Sequence, residues 1–178
     1  YKKNKFVLSN RIEPFSENDY NFAGRPPLQA DFINLENKEK FSIINLHMKC
    51  CDSGLKRRQK AANMLYRYID EKLYARKLIV LGDWNDDLKD EEGQHCFDDF
   101  LADGNYFFAT ERITNDKEQA SYPKEPYVSF LDHILASKNF VDKNNYKIET
   151  LRLDKFMGGF DIYEAYISDH YPVLLSFD

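Results

Sequence analysis

Asp83 and Asn85 stand two residues apart in Gly82-Asp83-Trp84-Asn85, directly after the apolar run Lys77 to Leu81. In an extended segment, residues two apart share a face, so one side chain could bind water or a cation while the other orients a phosphate. Two further segments adjoin strand-like stretches in the same way: Asn45-Leu46-His47 closes Phe41 to Leu46, and Ser168-Asp169-His170 precedes Pro172 to Phe177. Phosphoester hydrolysis needs a Lewis acid on the phosphoryl oxygens, an oriented and deprotonated water, and stabilisation of the leaving group. Carboxylates and amides suit a hard cation such as Mg²⁺. Any one of these segments reads equally well as turn chemistry, because Gly, Asp and Asn favour turns. Three of them at the tips of strands point to a shared site.

A catalytic histidine needs a carboxylate to fix its tautomer. Asp132, inside the otherwise apolar stretch Phe130 to Leu135, is the candidate partner for His170, because a lone Asp in a strand is costly to bury unpaired. His133, beside it, points to the opposite face of that strand and reads as structural. Lys49, two residues beyond His47, could share its face and add positive charge near a leaving group. Arg25 precedes Pro26, and its planar fork suits bidentate contact with a phosphate. His95 lies in an acidic insert with no evident partner. The chain contains no Gly-x-Ser-x-Gly elbow, no phosphate-cradling Gly-x-x-x-x-Gly-Lys loop, no His-Glu-x-x-His and no dinucleotide fingerprint. Asp and Asn donors also favour harder cations over a zinc site built from His47, His133 and His170.

From Arg25 to the C-terminus this constellation resembles the endonuclease/exonuclease/phosphatase family, the fold group of deoxyribonuclease I, apurinic endonucleases, inositol polyphosphate 5-phosphatases, sphingomyelinases and deadenylases. The resemblance implies that Asp83 orients the attacking water and that Asn85 contacts phosphate and stabilises the transition state. It implies an Asp132-His170 dyad at the phosphate, Asp169 close to the metal, and His47 as phosphate ligand or leaving-group acid with Asn45 packing behind it. Arg25 would approach the scissile phosphate, and Mg²⁺ or Mn²⁺ would be the cofactor. The substrate would be phosphorylated, either a nucleic acid or a small phosphoester.

The family's first-strand Asn and its metal-binding Glu have no counterpart here. The resemblance therefore implies that residues 1–178 form the C-terminal part of a single such domain, with poor metal affinity. The expected fold is α/β, a two-sheet and mainly antiparallel sandwich flanked by helices, partial because the N-terminal strands are absent. Apolar surface left open would pair with the missing N-terminal segment or support a homo-oligomer through exposed sheet edges. The alternative reading is a catalytically incompetent fragment, or a phosphate-binding module that retains the fold.

The 178 residues suffice for one domain with a substantial core. A net charge of −5 ranks small phosphorylated substrates ahead of duplex nucleic acid, which is gripped by neutralising phosphates with Lys and Arg. Cys50, Cys51 and Cys96 form neither a Cys-x-x-Cys motif nor an even-numbered disulfide framework, and read as small buried or loop thiols. No apolar run is long enough to cross a bilayer, and nothing in the sequence indicates a cellular location.

The elements that must position the site follow from periodicity. Strands are expected at Lys5 to Ser9, Leu28 to Leu35, Phe41 to Leu46, Lys77 to Gly82, Val128 to Ala136, Tyr146 to Leu153 and Pro172 to Phe177. A helix is expected between Leu55 and Ala75, where Leu65, Tyr68, Ile69 and Leu73 share one stripe, with Lys56, Arg57, Arg58 and Lys60 on its solvated face. A second, short helix is expected from Gln94 to Ala102. The Tyr106 to Phe108 patch reads as core.

Overall fold

The computed structural model describes residues 4–177. Among the described residues, eight strands form two sheets. The larger contains β1 (Phe6–Ile12), β2 (Leu28–Asn34), β3 (Lys40–His47), β4 (Lys77–Asp83), β5 (Tyr106–Phe108) and β6 (Asp132–Ser137) in the order β1-β2-β3-β4-β6-β5. The smaller pairs β7 (Tyr146–Thr150) with β8 (Val173–Phe177). β3 and β4 run parallel, joined by the crossover helix α1 (Leu55–Lys72); the other pairings among the described residues are antiparallel. This is the mainly antiparallel two-sheet α/β architecture expected.

Strand alternation divides the large sheet into two working faces. One face, with Ile44, Leu46, Leu78, Val80 and Leu135, packs against Ala61, Ala62, Leu65 and Ile69 of α1 and against Phe100 of α2 (Asp98–Ala102). The opposite face, with Ile79, Phe107, Ile134 and Ala136, meets Tyr146, Ile148, Val173, Leu175 and Phe177 of the small sheet. That sheet packs on the β4-β6-β5 half. Beside it, Phe6, Phe32 and Phe41 form an aromatic run that reaches Phe140 and Phe177, and Leu8 is 39% exposed.

Several expectations need correction. Arg58 is not on a solvated face: it is buried, and its guanidinium pairs with Asp86 at 2.5 Å. Helical spacing assigns a residue to a face but cannot reveal a carboxylate that another segment brings to it. His95 is buried and has partners: its Nδ1 accepts the Phe97 N–H at 3.2 Å and lies 3.3 Å from the Asp98 carboxylate. That turn delays the second helix to Asp98. Strand β6 starts at Asp132, because Tyr122 and Ser129 bridge each other and the Leu131 carbonyl accepts the Trp84 N–H. Helix α3 (Phe160–Tyr166) is not among the expected elements, since Ile162 and Tyr166 on it are exposed and leave no clean apolar stripe. Phe107 and Phe108 are core, on the short β5.

Candidate active site

Strand register assembles the site. His47 at the end of β3 lies opposite Asp83 at the end of β4, and Asp83 lies opposite Asp132 at the start of β6. Three polar groups from distant parts of the chain thus stand in a row on one sheet face. Asn45, two residues before His47, shares that face.

Gly82 permits this convergence. Its φ is +133°, and a Cβ there would fall 2.0 Å from the Leu46 carbonyl oxygen and 3.0 Å from Asn45 Oδ1. The obstruction is backbone and cannot swing away. Gly82→Ala is expected to destabilise the fold by roughly 3 kcal/mol, read as a lower midpoint in urea unfolding at unchanged slope.

Beyond Gly82 the chain does not stay extended. Asn85 adopts φ 55°, in the left-handed region that Asn tolerates, and its N–H donates to Asp83 Oδ1 at 2.8 Å. The geometry is therefore a side-chain-closed turn, not the shared strand face expected from the spacing. Trp84 anchors the turn: it is fully buried, and its indole N–H donates to the His133 carbonyl at 3.2 Å. Asn85 Nδ2 donates to the Met48 carbonyl at 3.2 Å, and Arg25 Nη2 donates to the same oxygen at 2.9 Å. The Met48 N–H in turn donates to the Asp83 carbonyl at 2.8 Å.

Arg25 Nη1 lies 3.2 Å from His47 Nδ1 and 3.0 Å from Nε2, while Nε2 is 3.3 Å from Asp83 Oδ2. The tautomer that satisfies both neighbours has Nε2–H donating to Asp83 and Nδ1 accepting from Arg25. Burial, then the charges of Arg25 and His170, hold His47 below the usual imidazole value, so the ring is neutral near neutral pH. Lys49 is turned away: its Nζ donates to Cys50 Sγ at 3.4 Å. Alternation with His47 fails there because β3 ends at His47.

His170 Nδ1 and Asp132 Oδ2 are 2.6 Å apart. Burial pulls the His170 imidazole down, but the Asp132 hydrogen bond and charge outweigh it, and the net shift is upward. Ser121, which carries no motif, holds the pair in place. Its Oγ accepts the N–H groups of Leu131 and Asp132 at 3.1 and 3.0 Å, and its carbonyl accepts the Tyr171 N–H at 2.8 Å. The Ser168 hydroxyl accepts the His170 N–H at 3.0 Å, and the Tyr122 ring lies 5.2 Å from the His170 ring. His133 points to the other face and is fully buried between the Thr110 hydroxyl and the Asp86 carbonyl.

A cleft of about 1280 Å³ opens over His47, Asp83, Asn85, Asp132, Asp169 and His170. A smaller hollow of about 420 Å³ takes Arg25 and Asn45 and shares His47, Asp83 and Asp132 with it. Burial, then the neighbouring Asp132 charge, raises the Asp83 carboxyl to about 6. Among the described residues no three His, Cys, Asp or Glu side chains form a cage for a metal ion. Mg²⁺ does not require one, since it commonly uses one or two carboxylates, retained waters and substrate phosphate oxygens. The donors here are oxygens, and Asp132 adds negative charge beside the buried Asp83. The residues fit a hard cation that arrives with phosphate.

No protein-family model matches this sequence, and no curated relative matches it. Solved structures do. The catalytic domain of human Nocturnin with bound sulfate is 19% identical, at a TM-score of 0.65 over 99% of this chain and 61% of that one. TDP2 of D. rerio, complexed with a single strand DNA product, is 16% identical at a TM-score of 0.71, covering 99% and 70%. A mannosyl-6-phosphatase of Bacteroides thetaiotaomicron is 20% identical at 0.62, covering 99% and 69%. The chain therefore has the deoxyribonuclease I-like fold of the endonuclease/exonuclease/phosphatase proteins. It spans 61% of the Nocturnin domain's length.

Proposed function

We propose that this chain carries the hydrolytic residues of an Mg²⁺- or Mn²⁺-dependent phosphoesterase that acts on a phosphodiester or phosphomonoester through an activated water. The observation that supports this best is the row His47-Asp83-Asp132 in strand register, with His170 held 2.6 Å from Asp132. Asp83, ionised above about pH 6, takes a proton from the attacking water. The Asn85 amide, fixed by the Met48 carbonyl, orients a phosphoryl oxygen. His170 spends Nδ1–H on Asp132, which leaves Nε2 to donate to the charge that develops on phosphate in the transition state. Arg25 and neutral His47 face the leaving-group side.

A cation, with Asp169 as its ligand from this chain, would neutralise the phosphoryl oxygens when bound. The carboxylates Asp87 and Asp90 on the cleft wall, with the net charge of −5, favour a small phosphoester over nucleic acid, although the TDP2 structure above holds a single strand DNA product. Among the described residues no helix is long and apolar enough to cross a membrane.

The test is hydrolysis of bis(p-nitrophenyl) phosphate with Mg²⁺ or Mn²⁺, by the 178-residue chain and by the full product of its gene. Turnover that EDTA removes and Asp83→Ala abolishes is the expected result. The second reading is a phosphate-binding module that retains the fold. Phosphate binding without turnover in both forms would establish that reading instead.

The half-covered face of the large sheet adds a prediction about partners. The 178-residue chain is expected to self-associate through Leu8, Phe32, Phe41 and Ile43. Light scattering that finds only stable monomer would refute self-association.

A further inference from the structure

The segment after β3 carries adjacent thiols, Cys50 and Cys51, on the cleft wall with Asp83 and Asn85. The Cys51 thiol donates to Cys50 Sγ at 2.8 Å, and Lys49 Nζ approaches the same sulfur at 3.4 Å. The Cys51 hydrogen bond works against burial, with help from Lys49 and Arg25, and holds the Cys50 thiol below its usual range. Such surroundings mark reactive cysteines, whereas Cys96, buried and pushed well up, is of the inert kind.

The backbone here is tied to the site. Met48, two residues before Cys50, offers its carbonyl to both Arg25 and Asn85. Arg58 Nη1 grips the carbonyls of Lys49 and Cys51 at 2.9 and 2.7 Å. These bonds join the backbone at the thiols to Arg25, Asn85 and Arg58.

We propose that Cys50 and Cys51 form a redox-active dithiol that closes to a disulfide by exchange with a small-molecule disulfide and thereby alters the phosphate end of the cleft. The Cys50 thiolate attacks one sulfur of a disulfide such as oxidised glutathione; that S–S bond breaks and one glutathione thiolate departs. The Cys51 thiolate then attacks Cys50 Sγ in the mixed disulfide and expels the second glutathione thiolate. The two cysteine protons pass to the two departing thiolates, so the protein is oxidised by two electrons and the glutathione disulfide is reduced. Consecutive Cα atoms lie ~3.8 Å apart, below the ~4.4 Å at which ordinary disulfides begin. A bond closed across that spacing reopens readily, as a reversible switch requires.

The experiment exposes the reduced 178-residue chain to oxidised glutathione and follows intact and peptide mass together with the fluorescence of Trp84, the chain's single tryptophan. Neither readout depends on hydrolytic activity. The expected result is loss of two hydrogens within the Cys50-Cys51 peptide, unreacted Cys96, and a change in Trp84 emission that dithiothreitol reverses. Cys51→Ser should stop at a glutathione adduct on Cys50. Separate adducts on both cysteines, or reaction no faster than at Cys96, would overturn the dithiol. A bridge that leaves Trp84 emission unchanged would overturn its coupling to the site.

Discussion

Asp83→Ala is expected to lower the proposed hydrolysis by about 10³-fold, with the fold retained, because it removes the carboxylate placed both beside His47 and at the head of the Asn85 turn. Asp83→Asn separates the two jobs of the side chain. Its amide oxygen can still accept the Asn85 N–H, but it cannot take a proton from water, so the rate should fall nearly as far. Stability should move the other way. The carboxyl ionises at about 6 in the folded chain against a reference of 3.8, so between those values the folded state holds a proton that the unfolded state has released. Stability attributable to this group is full below 3.8, declines as pH rises through about 6, and stays reduced above it. Asn carries no such cost. The variant should therefore melt higher than the parent at neutral and alkaline pH and equally at acid pH, while the parent's own activity falls as pH drops through about 6. Thermal melts and rate profiles over the same pH range check both; equal melting at alkaline pH would show that the buried charge carries no cost.

Breaking the Asp132-His170 pair is the second large effect. Asp132→Asn keeps the shape of the acceptor but not its charge, and a neutral partner can set the wrong tautomer on His170. A rate loss of about 10²–10³-fold is expected, with His170→Gln similar. In the proposed mechanism the two act as one donor to the phosphate, so the double variant should be no slower than the slower single variant. Additive losses in that cycle would mean that the residues act separately. The main-chain anchors of the pair, both Ser121 bonds among them, do not involve the substituted atoms, so far-ultraviolet dichroism should be unchanged.

The chemical identity of the candidate groups was readable along the chain, because polar residues that end apolar runs are conspicuous: Asn45-Leu46-His47, Gly82-Asp83-Trp84-Asn85 and Ser168-Asp169-His170. The pairing of Asp132 with His170 was also readable, since an acid within an apolar strand needs a partner. The strands β2, β3, β4, β7 and β8 and the helix α1 follow from local periodicity, which depends only on neighbours in sequence. What required the folded chain was everything non-local. The register that sets His47 opposite Asp83 and Asp83 opposite Asp132 depends on strand pairing across 36 and 49 residues of sequence, and a slip of one residue would turn each group to the other face. Met48, whose carbonyl aligns both Arg25 and Asn85, contributes only backbone there, so its side chain gave no hint. Ser121 and Arg58 were illegible for a related reason: each takes its role from groups that the fold alone brings within hydrogen-bonding reach. Lys49 is the converse case: strand alternation ends where the strand does, and the contact of its Nζ with Cys50 Sγ is one that spacing along the chain does not show.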